Sequence, residues 1–135
     1  MNWKLIFQLS VFGLIMAFAT ISLIPPNFEP IFWFVIFVFC AYVIAKVCTG
    51  KYFLQGFFVT LINCVWVTSA HLIFYKTYII NHPQVAAMYA GAPAPLNTHP
   101  RLTLVIMGTL MGACIGLLLP IFAFIASKIV KKNPA

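Results

Sequence analysis

The chain has 135 residues, of which 64% are hydrophobic and only 7% are charged, and its mean hydropathy is +1.06. Soluble globular domains carry about 25% charged residues, so this composition excludes an ordinary soluble domain and indicates a membrane protein. Eight Lys and Arg residues against one carboxylate, Glu29, give a net charge of +7. We expect one membrane domain over residues 1–135.

Four apolar blocks predict four transmembrane helices, at about residues 5–24, 31–48, 52–76 and 102–128. Each approaches the ~20 residues that a helix needs to cross a bilayer core of ~30 Å. None has a charged residue in its middle, and helices satisfy the backbone hydrogen bonds that lipid cannot. The predicted fold is an all-α integral membrane protein, an up-down bundle of four helices.

The first block also has features of a signal peptide. Lys4 precedes the apolar stretch, and Ala17-Phe18-Ala19 has the small-x-small form of a cleavage site. The apolar run continues past that pattern to Ile24 before it ends at Pro25-Pro26. We therefore expect a retained helix.

The third helix is the most polar of the four. At ~100° per residue, one of its faces carries a row of small and polar residues, namely Gly56, Thr60, Asn63, Val67, His71 and Tyr78. We expect this face to point into the bundle, with Asn63 bonded to another helix because an unpaired amide is costly in lipid. The alternative is that the face lines a ligand site or a transport path.

A longer connection, residues 77–101, joins the third and fourth helices. Within it we predict a short helix at 83–90, because Pro83 suits a first turn and Gly91 suits a stop. This connection also contains His82 and His99.

The candidate polar site consists of five residues: Asn63, His71, His82, His99 and Glu29. The three histidines are also weak candidates for Zn²⁺ or Cu²⁺ ligands. No short metal-binding spacing such as H-x-x-x-H is present, so we expect neither a metal nor another cofactor.

Two helices carry stripes of small residues that suit close helix packing in lipid. The fourth helix has Gly108, Gly112 and Gly116 at four-residue spacing. The first helix has Ser10, Gly13, Ala17 and Thr20 on one face. The stripes could face each other within the chain, which we favour, or receive a neighbouring subunit. In addition, Pro120 cannot donate a hydrogen bond to the carbonyl of Gly116, which predicts a bend.

Six lysines set the expected orientation. Lys4, Lys46, Lys51, Lys128, Lys131 and Lys132 fall on one side of the predicted bundle, and only Lys76 and Arg101 fall on the other. Positive charge favours the cytoplasmic side. We therefore expect both termini in the cytoplasm and a multi-pass protein of a bacterial inner membrane.

The scarcity of carboxylates excludes most membrane chemistry. The chain has no Asp, no G-x-S-x-G, no P-loop and no H-E-x-x-H, so we expect no catalytic residues and no enzyme activity. We predict an accessory or scaffold subunit whose partners are lipid and either another membrane protein or its own copies, and not nucleic acid. The alternatives are a small transporter or channel along the third helix, and a protein that binds a metal or cofactor through the histidines.

Overall fold

A computed structural model of the chain describes residues 1–130, which form helices joined by short connections. In chain order the α-helices are α1 (Trp3–Ser22), α2 (Glu29–Val47), α3 (Tyr52–Ile73), α4 (Tyr75–Asn81), α5 (Pro83–Ala90), α6 (Pro100–Gly116) and α7 (Leu118–Ile129), with a 3-10 turn at Leu96–Thr98 before α6. The predicted all-α fold of four long apolar helices, packed as a bundle, is confirmed.

Four segments are long and apolar enough to cross a membrane: α1, α2, α3 and the continuous stretch Pro100–Ile129 formed by α6 and α7. This is the pattern of a multi-pass membrane protein. The ends lie within a few residues of those we predicted, but two breaks divide the longer predicted helices, at Phe74 and at Leu117. The connection between the third and fourth spans is largely helical, because α4 and α5 occupy much of it.

Helix α3 lies at the centre of the bundle. It packs against α1 on one side and against α6 and α7 on the other. The two stripes of small residues therefore face α3 rather than each other. A Cβ atom added at Gly13 would meet the side chain of Asn63, and one added at Gly112 would lie 2.9 Å from the sulfur of Cys64.

The break at Leu117 follows from Pro120. Proline lacks the N–H that would donate to the carbonyl of Gly116 in a continuous helix, and α6 ends at that residue. The Thr60 hydroxyl donates to the Gly116 oxygen instead, at 2.9 Å. A side chain of α3 thus satisfies the acceptor that the proline leaves unpaired.

The bend separates two packing regions. Helix α7 packs along α2 and α3, and Ile44, Val59, Leu119 and Ala123 are almost fully buried where the three meet. Helix α6 packs against α3, whereas α2 packs against α7 and not against α6. The bundle is consequently tight on the α7 side of the bend and open between α2 and α6.

Lys4, Lys46, Lys51 and Lys128 lie toward one end of the bundle, which we call the Lys51 end, whereas Arg101 lies at the start of the fourth span, at the opposite end. Gly116 lies opposite Thr60 and Pro120 opposite Gly56, so α7 runs antiparallel to α3 and brings Lys128 toward Lys51. The other end, where α2 begins, is the Glu29 end. Lys131 and Lys132, which we also assigned to the basic side, lie outside the described residues.

Candidate functional site

A cavity of about 560 Å³ lies between α2, α3 and α6 and extends to α4 and α5. It occupies the space that the bend at Leu117 creates. Helix α2 packs alongside α7, so α6, which diverges from α7 at the bend, leaves a gap beside α2. Ligand cavities for small molecules typically measure about 300–1,000 Å³. The cavity is large enough for such a molecule, and most of its depth falls along the candidate membrane spans.

The floor of the cavity is the polar face of α3. Thr60, Asn63, Val67 and His71 recur at three- and four-residue spacing, which places them on one side of a helix, and all four line the cavity. Thr60 is already bonded to Gly116. Asn63 and His71 are therefore the main polar groups of the floor that are free to take further partners.

Asn63 lies at the boundary between the cavity and α1. Its side chain packs against Gly13, where only a glycine leaves room for it. The residue is 4% exposed, and neither Oδ1 nor Nδ2 has a hydrogen-bond partner within residues 1–130. We expected Asn63 to bond to another helix. The structure gives a contact with α1 but no such bond.

His71 is held by α1. Its Nε2 lies 3.0 Å from the Thr20 hydroxyl oxygen, and that hydroxyl donates to the carbonyl of Met16 at 2.9 Å. Because the Thr20 proton is used there, the Thr20 oxygen accepts from Nε2–H of His71. In the neutral imidazole, Nδ1 then carries the lone pair and can accept a hydrogen bond from a ligand.

Tyr78 is clamped between two histidines. Its ring stacks on His71 with centroids 4.0 Å apart and on His82 with centroids 4.3 Å apart. Nδ1–H of His82 donates to the Tyr78 carbonyl at 2.9 Å, which fixes the second stack. The three rings continue the polar face of α3 across the break at Phe74.

Glu29, Trp33, Tyr78 and Tyr89 line the cavity at the Glu29 end. Trp33 Nε1–H donates to Glu29 Oε1 at 3.2 Å. Burial raises the pKa of the Tyr78 phenol above its usual range, and the nearby Tyr89 and Glu29 raise it further. Burial, with Tyr75 beside it, also raises the pKa of Tyr89. Both phenols therefore remain protonated at physiological pH.

The wall residues on either side of the cavity are apolar and exposed. Phe34 of α2 is 57% exposed, and Met111 and Ile115 of α6 are 54% and 46% exposed. All three line the cavity. These positions lie within candidate membrane spans, so the cleft between α2 and α6 opens on the side of the bundle rather than at one of its ends.

The structure brings together only part of the predicted polar site. Asn63, His71 and Glu29 line the same cavity. His82 is buried behind Tyr78, with Nε2 unpaired within residues 1–130. His99 lies apart from them, in a shallow depression with Lys76 and Arg101.

The three histidines do not form a cluster. Between Met1 and Val130, no group of three His, Cys, Asp or Glu side chains is arranged to hold a metal ion. His71 and His82 instead stack on opposite faces of the Tyr78 ring. His99 lines a separate depression.

Several residues that shape the cavity are not evident from the sequence. Trp33 and Phe34 contribute one wall and Met111 the other. In the sequence they are aromatic or apolar residues of a membrane helix, with no signal that separates them from their lipid-facing neighbours. Only the divergence of α2 from α6 turns them into walls. The sequence predicts part of the role of Thr20, because it places this residue on the small-residue face of the first helix, but it does not predict the contact with His71.

Comparison of the chain with models of known protein families, with curated proteins and with solved structures found no match.

Proposed function

We propose that this protein is a non-enzymatic membrane protein that binds an amphipathic small molecule in the cavity between α2, α3 and α6. The observation that carries the proposal is the cavity of about 560 Å³, polar along α3 and apolar on its walls. A molecule dissolved in the bilayer could enter between α2 and α6.

The distribution of polar groups supports an amphipathic ligand. Most of the lining is apolar, and Asn63, His71 and Tyr78 lie together on the side of α3. Binding sites for small molecules commonly combine an apolar lining with a few polar groups that orient the ligand. The apolar part of the molecule would contact Phe34 and Met111.

Asn63 adds a second line of support. A buried amide without a partner costs roughly 1–3 kcal/mol, and this one lies at the wall of a cavity. A ligand with a hydroxyl, carbonyl or amine group would supply the missing partner. The same need agrees with the alternative prediction that the polar face of the third helix lines a ligand site or a transport path.

Loss of the cavity volume tests the proposal. Met111→Trp fills the cleft from one wall, and Leu110→Trp is the matched control, because Leu110 is the neighbouring residue, is exposed and does not line the cavity. After purification in mild detergent, organic extraction and mass spectrometry would measure small molecules bound per protein.

We expect a small molecule to remain with the wild type and with Leu110→Trp, and to be lost from Met111→Trp. Equal retention by both variants, or no retained molecule on the wild type, would contradict the proposal. Circular dichroism of each variant would show that the helical fold is unchanged.

The accessory-subunit hypothesis is the second candidate. It is favoured by the low burial of one side of the bundle: 28% of the α2 span and 22% of the α6–α7 span are buried, against 44% of α1. A partner helix could cover this side. A monomer that purifies in mild detergent without another protein would count against this role and leave the small-molecule role in place.

A further inference from the structure

The Glu29 end of the cavity combines a carboxylate with three aromatic side chains. Glu29 and Trp33 come from the first turns of α2, Tyr78 from α4 and Tyr89 from α5, and all four line the cavity. Tyr78 and Tyr89 are less than 10% exposed. The packing of α4 and α5 over this end thus places protonated phenols and an indole around a negative charge.

Glu29 is the only Asp, Glu, Lys or Arg residue that lines this cavity. Within residues 1–130 it forms no ion pair with a basic residue, and its described hydrogen bond is the one from Trp33. Lys76 and Arg101, the basic residues at the same end of the bundle, line the separate depression with His99. In a chain with a net charge of +7, the cavity is locally negative.

A carboxylate among aromatic rings is suited to an organic cation. The faces of Trp and Tyr rings attract ammonium groups, most strongly where water is excluded, and a carboxylate supplies the opposite charge. Both faces of Tyr78 are covered by His71 and His82, so the rings that can contact a cation are those of Trp33 and Tyr89. An anionic head would find no Lys or Arg side chain in the cavity. A neutral head could donate a hydrogen bond to Glu29 but would lack the attraction between opposite charges.

We propose that the ligand of the cavity is an organic cation, with an ammonium group bound by Glu29 and the rings of Trp33 and Tyr89 and an apolar body directed along Phe34 and Met111. This inference rests on the proposed function and narrows it to one class of molecule. The ammonium group belongs either to a free amphiphilic amine or to the choline or ethanolamine head of a lipid.

A simpler role for Glu29 is the stabilisation of α2. It is the first residue of that helix, where a negative charge interacts favourably with the helix dipole. That role requires neither the aromatic rings nor the cavity, and it predicts no dependence of ligand binding on Glu29. The two roles are therefore separable by a binding measurement.

The test compares three probes that share a ten-carbon chain and differ in the charge of the head: decyltrimethylammonium, decanol and decanesulfonate. Binding to the full-length protein in phosphatidylglycerol nanodiscs would be measured by calorimetry, with empty nanodiscs subtracted. The variants are Glu29→Gln, which keeps the size and a hydrogen-bond acceptor for Trp33, and Glu29→Asp, which keeps the charge. Met111→Trp, which fills the cavity, and its control Leu110→Trp show whether the probes bind inside the cavity.

We expect the cation to bind more tightly than the alcohol or the sulfonate. Glu29→Gln should weaken cation binding by at least about tenfold, the scale of one charge-assisted contact, and leave decanol unchanged. Glu29→Asp should retain most of the affinity. Nanodiscs of phosphatidylcholine should suppress binding if the natural source is a lipid head group, and leave it unchanged if the source is a free amine.

Three results would overturn the inference. If decanol binds as well as the cation, or if Glu29→Gln binds the cation with wild-type affinity, the ligand is not selected by charge and the inference is wrong. If Met111→Trp abolishes binding in that case, the small-molecule role of the cavity still stands. If none of the three probes binds above empty nanodiscs, both the inference and the small-molecule role fail. Thermal denaturation would confirm that Glu29→Gln is folded.

Discussion

Thr60 compensates for a hydrogen bond that Pro120 removes, although the two residues lie in different spans. Its hydroxyl donates to Gly116 at 2.9 Å, and both groups are buried. A carbonyl left without a donor in lipid is costly. One side chain of α3 therefore stabilises the bend at Leu117 that Pro120 creates, and with it the cleft between α2 and α6.

Thr60→Val should lower the free energy of unfolding by about 1 kcal/mol, because it keeps the shape of threonine and removes the donor. SDS titration in mixed micelles would measure the change. The control is the same substitution in a Pro120→Ala background, where the restored N–H can donate to Gly116. The cost of Thr60→Val should then be smaller, and an equal cost in both backgrounds would show that the bond does not compensate for the proline.

At the scale of elements, the three glycines of α6 differ in how closely they approach α3. A Cβ atom at Gly116 would collide with Thr60, one at Gly112 would lie 2.9 Å from Sγ of Cys64, and one at Gly108 would lie 3.7 Å from Oγ1 of Thr68. The two helices therefore converge toward the bend. One sequence pattern contains both a required glycine and a replaceable one.

Gly116→Ala should destabilise the protein by roughly 1–3 kcal/mol, since the added methyl group must displace Thr60 or the α6 backbone. Gly108→Ala should be neutral or stabilising by up to about 1 kcal/mol, because alanine favours a helix and the contact is ordinary. SDS titration of the two variants side by side would measure both effects. Equal destabilisation would indicate that α6 packs on α3 at uniform distance.

The helices themselves were predictable, because a membrane span depends on length and hydropathy that a single sequence contains. The break at Leu117 was also foreseeable from Pro120, which removes one specific hydrogen bond. The break at Phe74 was not, since no proline or glycine lies there. Residues 77–101 were expected to be a loop with one short helix, and α4 was missed because it carries no start signal.

Only the part of the candidate site that lies on the third helix was predictable from the sequence. The helical period along the third predicted span placed Asn63 and His71, and beyond them Tyr78 of α4, on one face, and these residues line the cavity. The walls depend on how far α2 lies from α6, and this distance is set by tertiary packing rather than by local sequence. The partner of His71 is likewise a residue of α1, 51 positions away.

For the molecule as a whole, the two ends of the bundle differ in charge. Lys46 and Lys51 flank the connection between α2 and α3 at the Lys51 end, opposite the end where α2 begins with Glu29. If the positive-inside rule governs insertion, the carboxylate end of the cavity faces away from the cytoplasm. A ligand would then be recognised from the outer half of the bilayer.

Reporter fusions test this orientation. Green fluorescent protein fused after Ala135 should fluoresce, because both termini are expected in the cytoplasm, whereas alkaline phosphatase fused at the same point should be inactive. Phosphatase inserted between Gly91 and Ala92, in the connection after α5, should be active. As a control, replacing Lys46 and Lys51 with glutamine and adding lysines between Pro26 and Glu29 should shift part of the population to the opposite pattern. A wild-type protein that already shows the opposite pattern would place Glu29 on the cytoplasmic side, and the cavity would then take its ligand from the inner leaflet.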